Sequence, residues 1–593
     1  MSDRFLRYRW WLLLPLAAIY FASLPHAVQT LDSGELVTSA WGLTVPHAPG
    51  YPLYVWLYHA LMKAVPVSTV FFRAALITAI CALGAAAFLL RVCRRWLGVA
   101  AIAAMASLPA IWRYAVLPDV FGLNQVLAAA LIALAFSPAS KTRPFVAAAV
   151  FGLAAGNHHS IVFLAPLLLL IVWQEPNRLR GGAALLVGAA ISVALYASLP
   201  LLDTEHVNSW GSVTSFRGVL HHFLRRDYGT FNLSTGGGVA NIGAVTRDLV
   251  VTVGPFGLPA LALLGLGAAK ARPMREHQSW WVLLGCLALY LFVFVPRMNL
   301  AGDDSNAVLL RERFFLLPIL MLTALAVTAS VDTLRVSFQH GLLLATALLA
   351  LVQCAIGDTY GLRRDVVVEE YMRNLLKTAV SQRTPAIVIV DSDTKFFGAR
   401  YVQATEPGYD DVFILPRSMT FDRRLLERAK KRWPHLYYDE EKVRTRVKMD
   451  IYAQFLAPNM EAFSITHVMP FTSPRGKTTY YPVGRALTAG AGSVIADVPP
   501  LNPTPPVYRA GSSDYVDTKE IFAEYAVYYL ARGKDLLAKG DKQGAHQAFM
   551  DGLARVPYCV PCLRGACELE VADPRLCDGA VGRLEHEGYD YFK

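Results

Sequence analysis

The sequence predicts a polytopic α-helical membrane protein of about 11 spans, followed by an extracytoplasmic α/β domain and a C-terminal tetratricopeptide-like helical unit. Three observations predict it. Of 593 residues, 54% are hydrophobic and 17% charged, where soluble domains carry nearer a quarter charged. The apolar content fills the chain up to about Gly357 and then gives way to an ordinary charged composition. Within that second part, strand-like runs precede an Ala/Leu-rich helix–turn–helix. The expected division is therefore 1–357, 358–500 and 501–593.

A spanning helix needs about 20 apolar residues. Candidate spans lie at 10–26, 70–90, 98–112, 121–137, 145–157, 160–173, 183–201, 248–268, 279–296, 308–330 and 337–356. The pair 145–157 and 160–173 reads either as two short spans or as one broken helix. On one side lie MSDRFLRYR, RVCRRWL, SPASKTRP, QEPNRLRGG, AKARPMREHQ and SVDTLR, with 14 Lys and Arg against four acids. The positive-inside rule makes this side cytoplasmic. The net charge of +11 is thus topological in large part and does not point to nucleic acid. No small-residue cleavage site follows the first apolar run, so 10–26 reads as a retained helix.

The alternate loops, and everything after Gly357, then face outward. Asp32, Glu35, His47, Asp119, Asn157, His158, His159, His206, His221, Asp227, Asp303, Asp304 and Glu312 all fall on that side. One-sided polar chemistry suggests a site at the outer boundary. A transporter would rather place ionisable groups near the midplane.

The stretch LDSGELVTSAWGLTVPHAPGYPLY opens the outward chemistry. Asp32 and Glu35 share a face if helical, as a general base beside a metal or substrate ligand, or as a helix cap and its capping-box partner. His47–Pro52 is a rigid turn containing Tyr51, followed by an interfacial helix too short to span. Asp119 precedes an apolar run, as a second acid or as a dipole-favoured terminal charge. In GNHHS, Asn157, His158 and His159 sit between apolar runs. Adjacent histidines do not share a helical face, so a phosphate or sugar hydroxyl fits better than zinc. Trp210, Arg217, His221, His222, Arg225, Arg226 and Tyr228 mix aromatics and cations, as a solvated surface or as an anionic headgroup site. Arg311 and Arg313 stand at the mouth of a span, snorkelling or holding a lipid phosphate.

In the outer part, AIVIV, DVFILP and the intervening helix read as a small α/β unit, with Asp391 and Asp393 in a turn. The stretch ADVPPLNPTPPVYRAG is a linker. Cys559, Cys562, Cys567 and Cys577 cluster near the end. In an oxidising compartment they read as two disulfides, with three connectivities open.

The first block, then LPDVFGLN, GNHHS, NSWGSVTSFRGVLHHFLRRDYG and RERFFLLP, together resemble the transmembrane O-mannosyltransferase-like family. The resemblance covers roughly 10–330. It implies a C-type (GT-C) glycosyltransferase of a bacterial inner membrane, with a cytoplasmic N-terminus and a periplasmic C-terminal domain. The sugar, a mannose or another hexose, would come from a polyprenyl-phosphate donor. The acceptor would be Ser/Thr on an exported protein, or a glycan. Asp32 matches the family's essential acid in the first outward loop. Where relatives often have Glu-Val-Tyr, this chain has Asp119-Val120-Phe121.

The chemistry also stands on its own. Asp32 serves as base, with Glu35 and Asp119 orienting sugar or acceptor. Arg311, Arg313, Arg226 and the histidines take the phosphate. No cofactor is required; a divalent metal is left open. The tetratricopeptide-like tail would pack on the α/β unit or bind a protein partner. The rival readings are a lipid-linked sugar transporter and an envelope-assembly scaffold.

Overall fold

The computed structural model describes residues 8–93, 95–230, 242–254, 274–297, 305–328, 336–356, 358–382, 384–445 and 451–467. It also describes 471–472, 478–479, 486–487, 521, 529–530, 532–534, 536–555, 559–570, 579 and 581–582. Asp303, Asp304, Cys577 and the proline-rich linker lie outside the described residues. The chain divides into two compact units. The first comprises Met1–His26, Ser39–Thr204 and Ser209–Arg364. The second comprises Ala27–Thr38, Glu205–Asn208 and Asp365–Lys593. Two short earlier stretches, which a linear division of the chain does not anticipate, join the second unit.

The helices in chain order begin with α1 (Leu13–Ala22), α2 (Ser33–Gly42), α3 (Pro52–Ala64), α4 (Val70–Val92), α5 (Trp96–Ala106) and α6 (Pro109–Val116). They continue with α7 (Val120–Ala135), α8 (Arg143–Ala155), α9 (Ala165–Trp173), α10 (Arg178–Ala197) and α11 (Phe216–Phe223). Then come α12 (Ile242–Val253), α13 (Met274–Leu289), α14 (Ser305–Thr328) and α15 (Val336–Ile356). Among the described residues, three helices are long and apolar enough to cross a membrane: Val70–Val92, Arg178–Leu201 and Glu276–Phe294. Shorter apolar helices include Val120–Ala135 and Arg143–Ala155.

The expected single span at 98–112 is instead two helices, α5 and α6, bent by 69°. The cause is Pro109, which drives Leu108 out of the helical region to ψ 133°. The apolar pair around GNHHS is likewise interrupted, by Gly156–His158 and a 3₁₀ turn at His159–Leu164.

Within the first unit, α4 packs on α7 and α8 on α10. The second contact depends on small residues. Ala148, Gly152 and Gly156 recur every four positions, which lets backbones approach closely. A Cβ at Gly152 would lie 2.2 Å from the Gly188 carbonyl oxygen, and one at Gly188 would lie 2.5 Å from that of Ala148.

The second unit holds α16 (Val367–Gln382), β1 (Ala386–Val390), α17 (Asp393–Thr405), β2 (Val412–Pro416), α18 (Arg423–Arg432), α19 (Glu440–Thr445) and β3 (Ser464–His467). It continues with β4 (Phe471–Thr472), β5 (Thr478–Thr479), β6 (Ala486–Leu487), α20 (Lys542–Arg555) and α21 (Val560–Glu570). The main sheet runs β2-β1-β3-β6. β1 is parallel to both neighbours, with Val388 opposite Ile414 and Thr466. All five residues of β1 are buried, as expected of a central parallel strand. Ile387, Ile389, Phe413, Leu415, Leu425, Leu426, Trp433 and Ile465 form one core.

Arg373 on α16 binds Glu369, Glu370 and Glu406 at 2.5–2.6 Å. At the C-terminal end, α20 packs on α21. Gly540 turns the chain at φ 81°, and Asp541 accepts the Gly544 N–H at 2.8 Å. Cys559 and Cys562 form a disulfide, and Cys567 is also disulfide-bonded.

Replacing Gly188 by Leu drives a side chain into the α8 backbone. The expected cost is at least about 2 kcal/mol, within the range for overpacking. It is read as a lower melting temperature of the detergent-solubilised protein.

Candidate active site

The acidic pair belongs to the second unit. Leu31 takes a left-handed conformation, φ 61°, and turns the chain into α2. Asp32 stands at the N-cap position, half-buried, and its carbonyl accepts the Leu36 N–H at 2.9 Å. Glu35 lies in the first helical turn and is 2% exposed.

The approach to this turn is held by hydrogen bonds between side chains and backbone. The Val28 N–H donates to Glu369 Oε2 at 2.9 Å. Gln29 Nε2 donates to the carbonyls of Ala27 and Asp365, each at 3.0 Å. Ser33 Oγ donates to the Thr30 carbonyl at 2.8 Å.

The sequence reading missed Arg400. It is 3% exposed on α17, and its guanidinium lies 3.7 Å from the Phe396 ring centroid. Burial pulls its pKa down to about 9, while the Glu35 carboxylate pushes it back up. Nothing local marks Arg400 in the sequence, because GARYVQ reads as an ordinary helical stretch.

In the first unit, the His47–Tyr51 turn is built as its proline and glycine suggest. The Gly50 N–H donates to the His47 carbonyl at 2.9 Å, with Gly50 at φ 95° and Tyr51 at φ 40°. The Tyr51 hydroxyl meets His47 Nε2 at 2.9 Å. Trp210 lies edge-on to His47 at 6.4 Å, and its backbone N–H donates to the Val45 carbonyl at 2.8 Å.

Beneath this turn sits His222. Its Nε2–H donates to the Pro46 carbonyl at 3.0 Å. A Cβ at Gly50 would lie 3.1 Å from the ring, and one at Gly211, itself at φ 66°, would lie 2.6 Å from it. Two glycines therefore make room for one imidazole. Burial pushes the His222 pKa down to about 4, so the ring is neutral at pH 7.

Asp119 is 1% exposed and caps α7, its Oδ1 accepting the Val120 N–H at 2.5 Å. Asn157 Nδ2 donates to the Val120 carbonyl at 2.9 Å, so the Asn157 side chain is tied to the Asp119 cap. Asn157 Oδ1 is buried without a hydrogen-bond partner among the described residues. His158 stacks on Tyr51 at 6.2 Å and lies 4.8 Å from Phe121. Its Nδ1 accepts the Ser160 N–H at 3.2 Å. His159 turns elsewhere, to the Tyr196 hydroxyl at 3.2 Å and the Phe223 ring at 4.9 Å. Phe121 packs edge-on against Phe314 at 5.7 Å.

The arginines divide. Arg311 is fully buried and pairs with Asp248, Nε to Oδ2 at 2.8 Å and Nη2 to Oδ2 at 2.5 Å. Asp248 was not singled out by the sequence, because it follows Arg247 in an apolar helix. Arg313 sits 5.6 Å from the Phe314 ring, and it and Arg225 lie near enough to act electrostatically on His158. Arg225 is half-buried, whereas Arg217 and Arg226 are exposed. His221 pairs with Asp227 at 3.0 Å near the surface. Thus His47, Tyr51, Asn157, His158, Asp119 and Trp210 are linked through direct or shared neighbours, and Arg313 and Arg225 bear on His158. Among the described residues, no group of three or more His, Cys, Asp or Glu could hold a metal ion.

The folded chain binds fewer protons at His222 than the unfolded chain between about pH 6.5 and 4. Stability from the neutral ring is therefore present above 6.5 and lost as pH falls through 4. His222→Gln keeps a donor for the Pro46 carbonyl without a titrating group. Its melting temperature is expected to fall less steeply than that of wild type between pH 6.5 and 4.

A family model, Protein O-mannosyl-transferase TMEM260 N-terminal domain, matches residues 32–180. The Protein O-mannosyl-transferase TMEM260 of Mus musculus is 27% identical over 457 residues, covering 71% of this chain and 64% of that protein. The Dictyostelium discoideum protein of the same name is 27% identical over 341 residues, covering 51% and 41%. The chain thus spans less than two thirds of the length of these relatives. Among solved structures, ArnT from Cupriavidus metallidurans bound to undecaprenyl phosphate aligns at 13% identity and TM-score 0.46, covering 69% of this chain and 90% of that one. The matched stretch begins at Asp32 and includes Glu35, His47, Asp119 and the Asn157–His159 group. Residues 32–180 are therefore similar to the TMEM260 N-terminal domain, in a chain that resembles the Mus musculus protein O-mannosyl-transferase over 71% of its length.

Proposed function

We propose that the protein is a membrane glycosyltransferase. It moves a sugar, mannose or another hexose, from a polyprenyl-phosphate donor to an acceptor hydroxyl, with protein Ser/Thr as the favoured acceptor. The observation that carries the reading is the match that opens at Asp32 and contains both acids, the His47 turn and the Asn157–His159 group. The relatives' shared name supports mannose and a protein acceptor.

In this reading Asp32 takes the proton of the acceptor hydroxyl. The hydroxyl oxygen attacks the anomeric carbon while the bond to the lipid phosphate breaks. The phosphate leaves with the bonding pair, so a single displacement inverts the anomeric centre. Half-burial of Asp32 leaves it open to an acceptor, whereas Glu35 is buried and orients the turn. Asp119, Asn157 and His158 bind sugar or acceptor, with His47 and Tyr51 at the same turn. Arg313, with Arg225 near His158, meets the phosphate. Arg311 is ion-paired with Asp248 and supports that helix mouth rather than reaching the ligand directly.

The wider reading is an eleven-span GT-C-like arrangement in a bacterial inner membrane. The N-terminus is cytoplasmic. The α/β domain and the tetratricopeptide-like tail face the periplasm, the tail taking a protein partner. One-sided polar residues and basic opposite loops support this orientation. They also favour transfer over transport.

The test is transfer of radiolabelled mannose from a polyprenyl-phosphate donor in membranes. Asp32→Asn is expected to lower the rate by about 10²–10⁴-fold, the usual contribution of a general base. Equal labelling by both proteins would remove Asp32 as the base. No labelling by wild type, with mannosyl, glucosyl and arabinosyl donors alike, would overturn glycosyl transfer.

A further inference from the structure

We propose that Arg400 is the positioning residue for the Asp32–Glu35 segment, holding that segment and residues 207–208 in the geometry that transfer requires. The inference rests on the glycosyltransferase reading for its catalytic meaning, but the geometry stands independently of it.

Residues 27–38 form one compact unit with residues 205–208 and 365–593. The first turn of α2 lies directly on α17. Gly34 has no side chain, and a Cβ there would be 3.1 Å from both the carbonyl carbon and oxygen of Phe397. Gly398 is similarly close-packed, since a Cβ on it would lie 2.8 Å from Val368 and 4.0 Å from Val28. Arg400 is one helical turn beyond Phe397, and Glu35 is the residue after Gly34. The Glu35 carboxylate acts electrostatically on the buried guanidinium and partly offsets its burial.

Arg400 also reaches the second stretch. Its Nη1 donates to the Asn208 carbonyl at 3.2 Å and its Nη2 to the Val207 carbonyl at 3.4 Å. The Phe396 ring supports the guanidinium on one face. One planar fork thus serves two backbone carbonyls at once, within the field of an acid. A lysine ammonium is a single point charge on a flexible stem, and it cannot span the same set.

A merely structural arginine would destabilise the whole unit when removed. A positioning arginine acts through Glu35, and that difference is measurable. The experiment compares Arg400→Gln, Arg400→Lys, Glu35→Gln and the double variant Arg400→Gln/Glu35→Gln in the full-length protein. Two readouts are taken.

The first is the mannosyl transfer rate at saturating donor. Arg400→Gln is expected to lower it by about 10- to 100-fold, the scale of small misplacements, with Arg400→Lys intermediate. The double variant is expected to be no slower than Glu35→Gln alone. Losses that multiply, or a wild-type rate in Arg400→Gln, overturn the proposal. The second is amide hydrogen exchange, which needs no activity. Peptides covering 27–38 and 205–208 are expected to exchange faster in Arg400→Gln while β1 and α18 keep their protection. Uniform acceleration across the unit, or none, overturns it. If wild type itself transfers no sugar, the glycosyltransferase reading fails, and the exchange result alone decides whether Arg400 holds the segment.

Discussion

Backbone polar groups in apolar surroundings must find partners within the chain. Most of this chain meets that requirement with helices, and the exceptions define its chemistry. Irregular segments at 27–32, 46–51, 117–119, 156–158 and 203–211 are among these exceptions. Each contains, or directly precedes, residues with a proposed role. Each is also held by specific partners. Glu369 takes the Val28 N–H, His222 supplies a donor to the Pro46 carbonyl, and Asn157 does the same for Val120. The Gly156 carbonyl accepts from Leu53. Breaking a helix in such surroundings exposes donors and acceptors, and the side chains that satisfy them fix the geometry of the break.

The buried charges follow the same rule. Removing one partner from a buried pair is costly because the other is left uncompensated. Arg311 has Asp248. Lys395, 1% exposed, has Asp391 at 2.6 Å. Arg373 gathers three glutamates, and their charges raise its pKa above the usual arginine value. Arg400 has the carbonyls of Val207 and Asn208, and Glu35 acts on it electrostatically. The ligands in an ordinary enzyme site are often exposed loop residues. Here Glu35, Tyr51, Asp119 and Asn157 are buried, so packing fixes their orientation.

The first-unit residues were legible because polar groups are conspicuous against an apolar background. Asp119 and the Asn157–His159 group could be picked out without any knowledge of their neighbours. The turn at His47 was legible from proline and glycine alone. The kink at 107–108 also had its signal, since Pro109 lies in the middle of an apolar run. There hydropathy averaged over the proline, and a count by apolar length merged two helices. Other features had no local signal. Asp248 looks like a charge beside another charge, and its partner is 63 residues away. Arg400 lies 365 residues from Glu35 and sits in an unremarkable amphipathic helix. Pairings of that separation depend on topology, which periodicity does not encode. The two short stretches that join the second unit were invisible for the same reason, because a linear division cannot assign an early loop to a late domain.

That assignment has a consequence in time. Residues 27–38 leave the ribosome more than three hundred residues before α16 and α17 exist. At about 5–20 residues per second, the interval is roughly a quarter of a minute to a minute. Throughout it, Val28, Gln29 and Gly34 lack the surfaces they occupy in the finished fold. The acidic turn is therefore synthesised well before the surfaces it rests on. A chain interrupted before α17 would carry both acids and every apolar helix, yet lack the platform on which the acidic turn rests. Synthesis through α17 is thus required before the acidic turn can settle on its platform.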